Sequence, residues 1–160
     1  MLTIRNATPA DTAQILAFVH GLARYEKAEH EVVATEDDLH QALFGDDAVA
    51  AALLCETDGE AIGFALYFYN FSTWTGKRGI FLEDLFVDPG HRGKGAGKAL
   101  LTHLARIAVA RNCGRFEWNV LDWNEPSIRF YESLGAKPLS EWVGYRLTGE
   151  ALHTLAEETP

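Results

Sequence analysis

A chain of 160 residues, 48% hydrophobic and 23% charged, suits a single domain spanning 1–160 with material for a two- or three-layer core, and is too short for two independent ones. Fourteen Lys and Arg against twenty-three Asp and Glu leave a formal charge of −9, opposite to the field that a phosphate backbone attracts, so nucleic acid is disfavoured as a partner. Cys55 and Cys113 are too few for a disulfide framework or a paired-cysteine zinc site, and no basic leader or uncharged apolar span of about 18 residues occurs, so a cytoplasmic protein with no membrane span is expected.

Leu2 to Arg5 reads as a short extended segment. Thr8-Pro9-Ala10-Asp11 then supplies an N-cap, a first-turn proline and a third-position acid, and Ile15, Leu16, Phe18, Val19, Leu22 and Ala23 continue at helical spacing to about Tyr25. Thr35-Glu36-Asp37-Asp38 repeats the start signal for a shorter helix stopped by Gly45. Apolar runs at 48–56 and 61–71 flank Asp58-Gly59, a hairpin signal, so they are expected as antiparallel neighbours. A loop over 71–79 and a third strand over 80–87 follow, ending at Asp88-Pro89-Gly90. The remaining elements are a helix over 97–111, a strand over 115–121, a helix over 126–134, a final strand over 139–147 and a frayed helix over 148–157. The order β-α-α-β-β-β-α-β-α-β describes an α/β domain built on a mixed sheet.

The most informative stretch runs from Val87 through Arg92, Gly93, Lys94, Gly95, Ala96, Gly97 and Lys98. A strand ends, glycines permit positive φ and a helix begins, so several main-chain N–H groups can converge on one anion, with Arg92, Lys94 and Lys98 adding positive charge. The nucleoside-triphosphate loop pattern fails, because Arg92 stands where its first glycine belongs and Ala99 where its hydroxyl belongs. The dinucleotide fingerprint fails too, because Lys98 or Leu100 occupies the third glycine position. Arg/Gln-x-x-Gly-x-Gly/Ala fits, at Arg92, Gly95 and Gly97.

That loop, Leu82-Glu83-Asp84-Leu85-Phe86-Val87 before it, and Trp123-Asn124-Glu125-Pro126-Ser127-Ile128-Arg129-Phe130-Tyr131 after it resemble the GCN5-related N-acetyltransferases. The resemblance is strongest to the diamine and spermidine/spermine N-acetyltransferases and their thialysine-acetylating relatives, and runs from Ile4-Arg5 to Gly144-Tyr145-Arg146. It implies that fold, a mixed central sheet with helices on both faces. It also implies acetyl-CoA as co-substrate, with its diphosphate on the amides of Gly93 to Lys98 and its pantetheine paired to the backbone of Leu85, Phe86 and Val87. Asn124 and Ser127 are implied as further coenzyme contacts, although Asn-Glu-Pro-Ser is also a good helix start. A homodimer is implied as well.

A primary amine with a pKa of about 10.4 is protonated at neutral pH and cannot attack a thioester until a proton is removed, and the departing thiolate leaves more readily if a hydroxyl protonates it. By resemblance Tyr131 is the acid beside the sulfur and Glu83 contacts the amine and relays its proton, directly or through water. Strand alternation sends Glu83 and Asp84 to opposite faces, which leaves Asp84 a structural role. Tyr25 and Glu26 match positions lining the amine site, and Glu29, Glu31 and the 36–38 acids are candidates to extend a negative funnel, though helix-start acids also favour the helix dipole.

Polyamine enzymes carry two adjacent acids ahead of Gly-aromatic-Arg, whereas this chain has Glu141-Trp142-Val143, which points to a shorter diamine or an amino-acid side chain. The six histidines show no metal-binding spacing, so no metal is expected. The alternatives are an amino-acid or peptide N-acetyltransferase and a catalytically silent acyl-CoA sensor.

Overall fold

The computed structural model describes residues 1–159. Its contacts gather into two compact units, Met1–Leu121 and the chain from Asp122 onward. The first holds β1 (Leu2–Asn6), α1 (Thr12–Tyr25), α2 (Glu36–Phe44), β2 (Ala51–Thr57), β3 (Glu60–Ser72), β4 (Lys77–Val87), α3 (Ala96–Ala110) and β5 (Arg115–Trp118). The second holds α4 (Glu125–Ser133) and α5 (Gly149–Glu157).

The five strands lie in chain order, antiparallel except for the parallel β4–β5 pair. The β2–β3 hairpin closes at Thr57 opposite Glu60, and Asp58 and Gly59 both take positive φ, the geometry whose twist matches the flanking strands. The expected loop over 71–79 is narrower in the structure, because β4 begins at Lys77 opposite Ser72 and the Ser72 hydroxyl accepts from the amides of Trp74 and Thr75.

Both faces of the sheet are covered. On one, Ile15 and Phe18 of α1 pack with Leu54, Phe64, Leu66 and Phe86, and the Phe18 ring lies 5.6 Å from Phe64 and 5.8 Å from Phe86. The alternating residues Leu53, Cys55, Ala65, Ile80 and Leu82 are equally buried, as are Leu100, Leu101 and Leu104 of α3, which touches all five strands. The start of α1 is pinned by charge. Arg5 donates to both Asp11 oxygens at 2.8 and 2.9 Å and to Glu56 at 2.8 Å, and Asp11 also accepts from the Thr8 amide and hydroxyl. These donors hold the Asp11 carboxyl well below the usual carboxylate range.

The strand expected over 139–147 does not form; among the described residues this stretch carries no ladder, and α5 follows it. Alternating side chains report only that a ribbon has one apolar side, whereas a strand exists by virtue of the neighbour it bonds to. The strand expected over 115–121 likewise stops at Trp118, where its pairing with β4 ends.

Gly63 of β3 lies against the end of β4, where a Cβ would come within 2.6 Å of the Phe86 carbonyl oxygen and 3.2 Å of the Val87 Cα. Both are main-chain atoms that cannot swing aside. Gly63→Ala is therefore expected to cost about 1–3 kcal/mol by urea unfolding, and an unchanged midpoint would show that the strands part without penalty.

Candidate active site

In the first unit the site is organised along β4. Up to Leu82 the strand is paired on both edges, to β3 and β5; from Glu83 to Val87 it is paired to β3 alone. The other edge of this five-residue stretch, which includes Leu85, Phe86 and Val87, therefore meets no strand among the described residues, and an extended amide-bearing ligand can bond to such an edge.

The change in pairing coincides with a bulge. Asp84 opposes Leu66 and Leu82 opposes Tyr67, which leaves Glu83 as an extra residue on β4. Beyond the bulge Asp84 shares its face with Phe86 and so looks toward α1, whose C-terminal end brings Glu26 near it. Glu83 is exposed. The Asp84 carboxyl is pushed up to about 6, chiefly by burial and further by the charges of Glu83 and Glu26. Burial also raises Glu26. None of the three carboxylates pairs with a basic side chain among the described residues.

Alternation had left Asp84 a structural role. The bulge removes the premise, and Asp84 is the acid whose proton affinity the fold moves most toward neutrality. Two adjacent acids inside an apolar strand were the available signal, because an inserted residue reconciles them with two buried faces. The expected negative funnel is narrower than the sequence suggested: Glu29 accepts twice from Arg24 at 3.1 Å, and Asp38 caps α2 by accepting from the Thr35 amide and hydroxyl at 2.8 Å.

After Val87 the chain makes the tight turn Pro89–His91, with the Asp88 carboxylate accepting from the Gly90 amide at 3.1 Å. Gly93 and Gly95 follow at φ +76° and +88°, with no atom within 4 Å of a Cβ built on either. Gly95 is the N-cap of α3, so the amides of Ala96, Gly97 and Lys98 are first-turn donors that the helix cannot satisfy internally. Those of Gly93, Lys94 and Gly95 find no main-chain acceptor among the described residues. Six successive donors at the positive end of a fifteen-residue helix suit a diphosphate. Arg92 is anchored beside the loop: its Nε donates to the Val87 carbonyl at 2.9 Å and its guanidinium lies 4.9 Å from the Tyr25 ring and 5.6 Å from the Phe86 ring. This stack joins the loop to the end of α1, a link that no sequence pattern announced.

In the second unit Asn124 is buried and is the N-cap of α4 by position, but its side chain makes no cap bond, so capping does not account for it. Ser127 lies in the first turn and Tyr131 one turn later on the same side of α4.

The family model for the acetyltransferase (GNAT) family matches residues 15–136. The chain belongs to this family. GNAT membership makes it an acyl-transferring enzyme, and the thialysine N-epsilon-acetyltransferases are alike over nearly their whole length. Thialysine N-epsilon-acetyltransferase from Mus musculus is 36% identical over 164 residues, covering 96% of each chain, and that from Sus scrofa is 37% identical with the same coverage. L-ornithine N5-acetyltransferase from Arabidopsis thaliana is 34% identical, covering 95% of this chain and 86% of the relative. Among solved structures, an integron cassette protein of V. cholerae superposes with a TM-score of 0.82 at 29% identity, covering 98% of both chains. Among the described residues no helix is long and apolar enough to cross a membrane.

Asp84 carries a pH signature. With an unfolded pKa of about 3.9 and a folded one of about 6, the folded state binds the extra proton, so this group favours folding at low pH and the contribution is lost as pH rises from about 4 through 6. Asp84→Asn should therefore raise the melting temperature at pH 7, by about 2–4 °C for each kcal/mol relieved, and lose that advantage near pH 4. A variant equally or less stable than the parent at pH 7 would contradict the strained carboxylate.

Proposed function

We propose that this GNAT enzyme transfers the acetyl group of acetyl-CoA to the terminal primary amine of a small diamine or amino-acid-like substrate, of the thialysine, lysine or ornithine kind. Reaction is by direct attack in a ternary complex. The observation that carries the reading is the cluster of Glu26, at the end of α1, with Glu83 and Asp84 on the half-paired stretch of β4, three carboxylates without a basic partner among the described residues, in a chain alike over nearly its whole length to enzymes named for acetylating side-chain amines. Such a cluster attracts an ammonium group, and the desolvation and like charges that raise Asp84 make it a proton acceptor matched to neutral pH.

The roles divide by position along the chain. The amides of Gly93 to Lys98, with Arg92 and Lys94 beside them, bind the diphosphate, and the main chain of Leu85, Phe86 and Val87 pairs with the pantetheine amides. Acetyl-CoA supplies an acetyl group already activated as a thioester. Tyr25, Glu26 and Glu83 hold the amine, and the Glu83–Asp84 pair takes its proton as one coupled acceptor. Tyr131 donates its hydroxyl proton to the departing sulfur, while Asn124 and Ser127 contact the coenzyme; these three assignments rest on the resemblance of their motif. The whole chain of 160 residues acts as one catalytic domain, in a cytoplasmic homodimer. Positioning two reactants in one site supplies most of the acceleration.

Release of coenzyme A, followed with putrescine, spermidine, lysine, thialysine and ornithine in parallel, tests the reaction. Thialysine or ornithine should give the highest kcat/KM and spermidine the lowest; acetyl-CoA binding with no thiol release for any amine would instead identify a silent sensor. Tyr131→Phe should lower kcat by about 10²-fold or more with little change in acetyl-CoA affinity, and near-normal turnover would remove the tyrosine from the reaction.

The cradle is tested at two glycines. Gly95→Val meets no atom but must adopt φ +88°, so it combines backbone strain with lost binding. Gly97 has an ordinary φ and a built Cβ would meet only Val87 Cγ2, at 4.0 Å, so Gly97→Val isolates the second effect. Calorimetry should show acetyl-CoA affinity reduced about tenfold or more in both, with cooperative melting retained in Gly97→Val. Unchanged affinity in both would refute the cradle.

A further inference from the structure

The face of the sheet that α3 covers carries a cationic cluster at the end remote from the glycine loop. Tyr67 and Tyr69 of β3 lie opposite Leu82 and Ile80 of β4, whose side chains are buried on that face, and Phe71 opposes Arg78 in the same alternation. Arg111, the C-cap of α3, joins this row. The fifteen residues of α3 place Arg111 about 22 Å from the first-turn amides, so the cluster is separate from the site described above. Two guanidiniums share one ring: Arg78 lies 5.3 Å and Arg111 5.7 Å from the centroid of Tyr69, which the Tyr67 ring meets edge-on at 6.1 Å. Cations this close repel each other, yet neither forms an ion pair with a carboxylate among the described residues, although the chain carries a net charge of −9.

The phenols add donors to the cations. Tyr69 is half-buried. The Tyr67 ring is 6% exposed, but its hydroxyl makes no hydrogen bond among the described residues, and no polar side-chain atom there is buried without a partner, so this hydroxyl opens to solvent. Burial raises the Tyr67 phenol, Tyr69 adds to the rise and Arg111 opposes it, so both neighbours stand close to the hydroxyl. The cluster therefore offers two positive charges, two phenolic O–H groups and the forked N–H donors of two guanidiniums to one patch of surface. A carboxylate would balance only one of the arginines, whereas a tetrahedral dianion balances both and has oxygens enough for guanidiniums and phenols together. We propose that Arg78, Arg111 and the hydroxyls of Tyr67 and Tyr69 bind a phosphate group, either as the free ion or at the end of a phosphate monoester whose organic part lies on the exposed Phe71 ring.

Amide NMR of the full chain, titrated with inorganic phosphate at constant ionic strength, tests the site. The main-chain amides of Tyr69, Arg78 and Arg111 should shift saturably, with a Kd of about 1 mM or lower. Shifts at residues 93–98 report the glycine loop separately in the same spectra, so phosphate held there is not mistaken for phosphate held here. The double variant Arg78→Gln, Arg111→Gln should raise the Kd at the cluster about tenfold or more, and Tyr69→Phe, which keeps the ring beneath both guanidiniums, about threefold. Unchanged spectra away from the cluster check that each variant is folded. Tighter binding of glycerol 3-phosphate than of phosphate would assign the occupant to an ester, and the reverse order to the free ion. Absence of saturable shifts at the three amides, or an unchanged Kd in the double variant, would overturn the proposal. Acetate bound as tightly as phosphate would overturn it too, since the cluster would then respond to charge alone.

Discussion

β4 is bonded on both edges as far as Leu82 and on one edge from Glu83 to Val87, and the other features of the first unit follow from that asymmetry. A strand held on both sides is fixed in register by two ladders and a core; a strand held on one side keeps its line but leaves a row of main-chain donors and acceptors unused. The pairing of Gly63 with Val87 and the packing of Phe86 against Phe18 hold the half-paired stretch on the sheet although one ladder has ended. What would be an aggregation hazard on an outer strand is the edge proposed above as a template for an amide-bearing ligand.

Charge is sorted along the same strand. Negative groups collect at the bulge, where Asp84 is half-buried beside Glu83 and Glu26, and positive groups follow within a few residues, where Arg92, Lys94 and Lys98 surround the start of α3. The separation matters because the two reactants proposed for this GNAT enzyme carry opposite charges, an ammonium group and a polyphosphate, and each is drawn to its own end. Arg92 forms no ion pair with these acids: its guanidinium lies over the Tyr25 and Phe86 rings and its Nε donates to the Val87 carbonyl. Desolvation first, and the neighbouring acids after it, raise the proton affinity of Asp84 at a cost in stability, a combination found at many sites that accept a proton near pH 7.

The helical elements were legible because each is written in local chemistry. Thr8 and Asp11, and Thr35 and Asp38, form their capping interactions as their spacing indicates, and Asp58-Gly59 makes its turn because only left-handed backbone fits there. The glycine loop was legible for the same reason, since φ values of +76° and +88° at Gly93 and Gly95 leave few other residue choices. The strand expected over 139–147 failed where local chemistry stops being sufficient, for a strand is defined by hydrogen bonds to a partner that its own sequence does not name.

By itself, then, the sequence determined the family, the order of most elements, the left-handed turns of the glycine loop and the residue types available for acid and base work, all properties of neighbours along the chain. Tertiary structure decided which acid is perturbed, because burial of Asp84 depends on a one-residue bulge that reverses the alternation expected from sequence. It also decided that Arg92 stacks on Tyr25, since that contact brings together residues more than sixty positions apart. Local propensities act over a few residues, whereas desolvation and charge depend on whatever the fold brings within a few ångströms, and no reading of spacing alone supplies that.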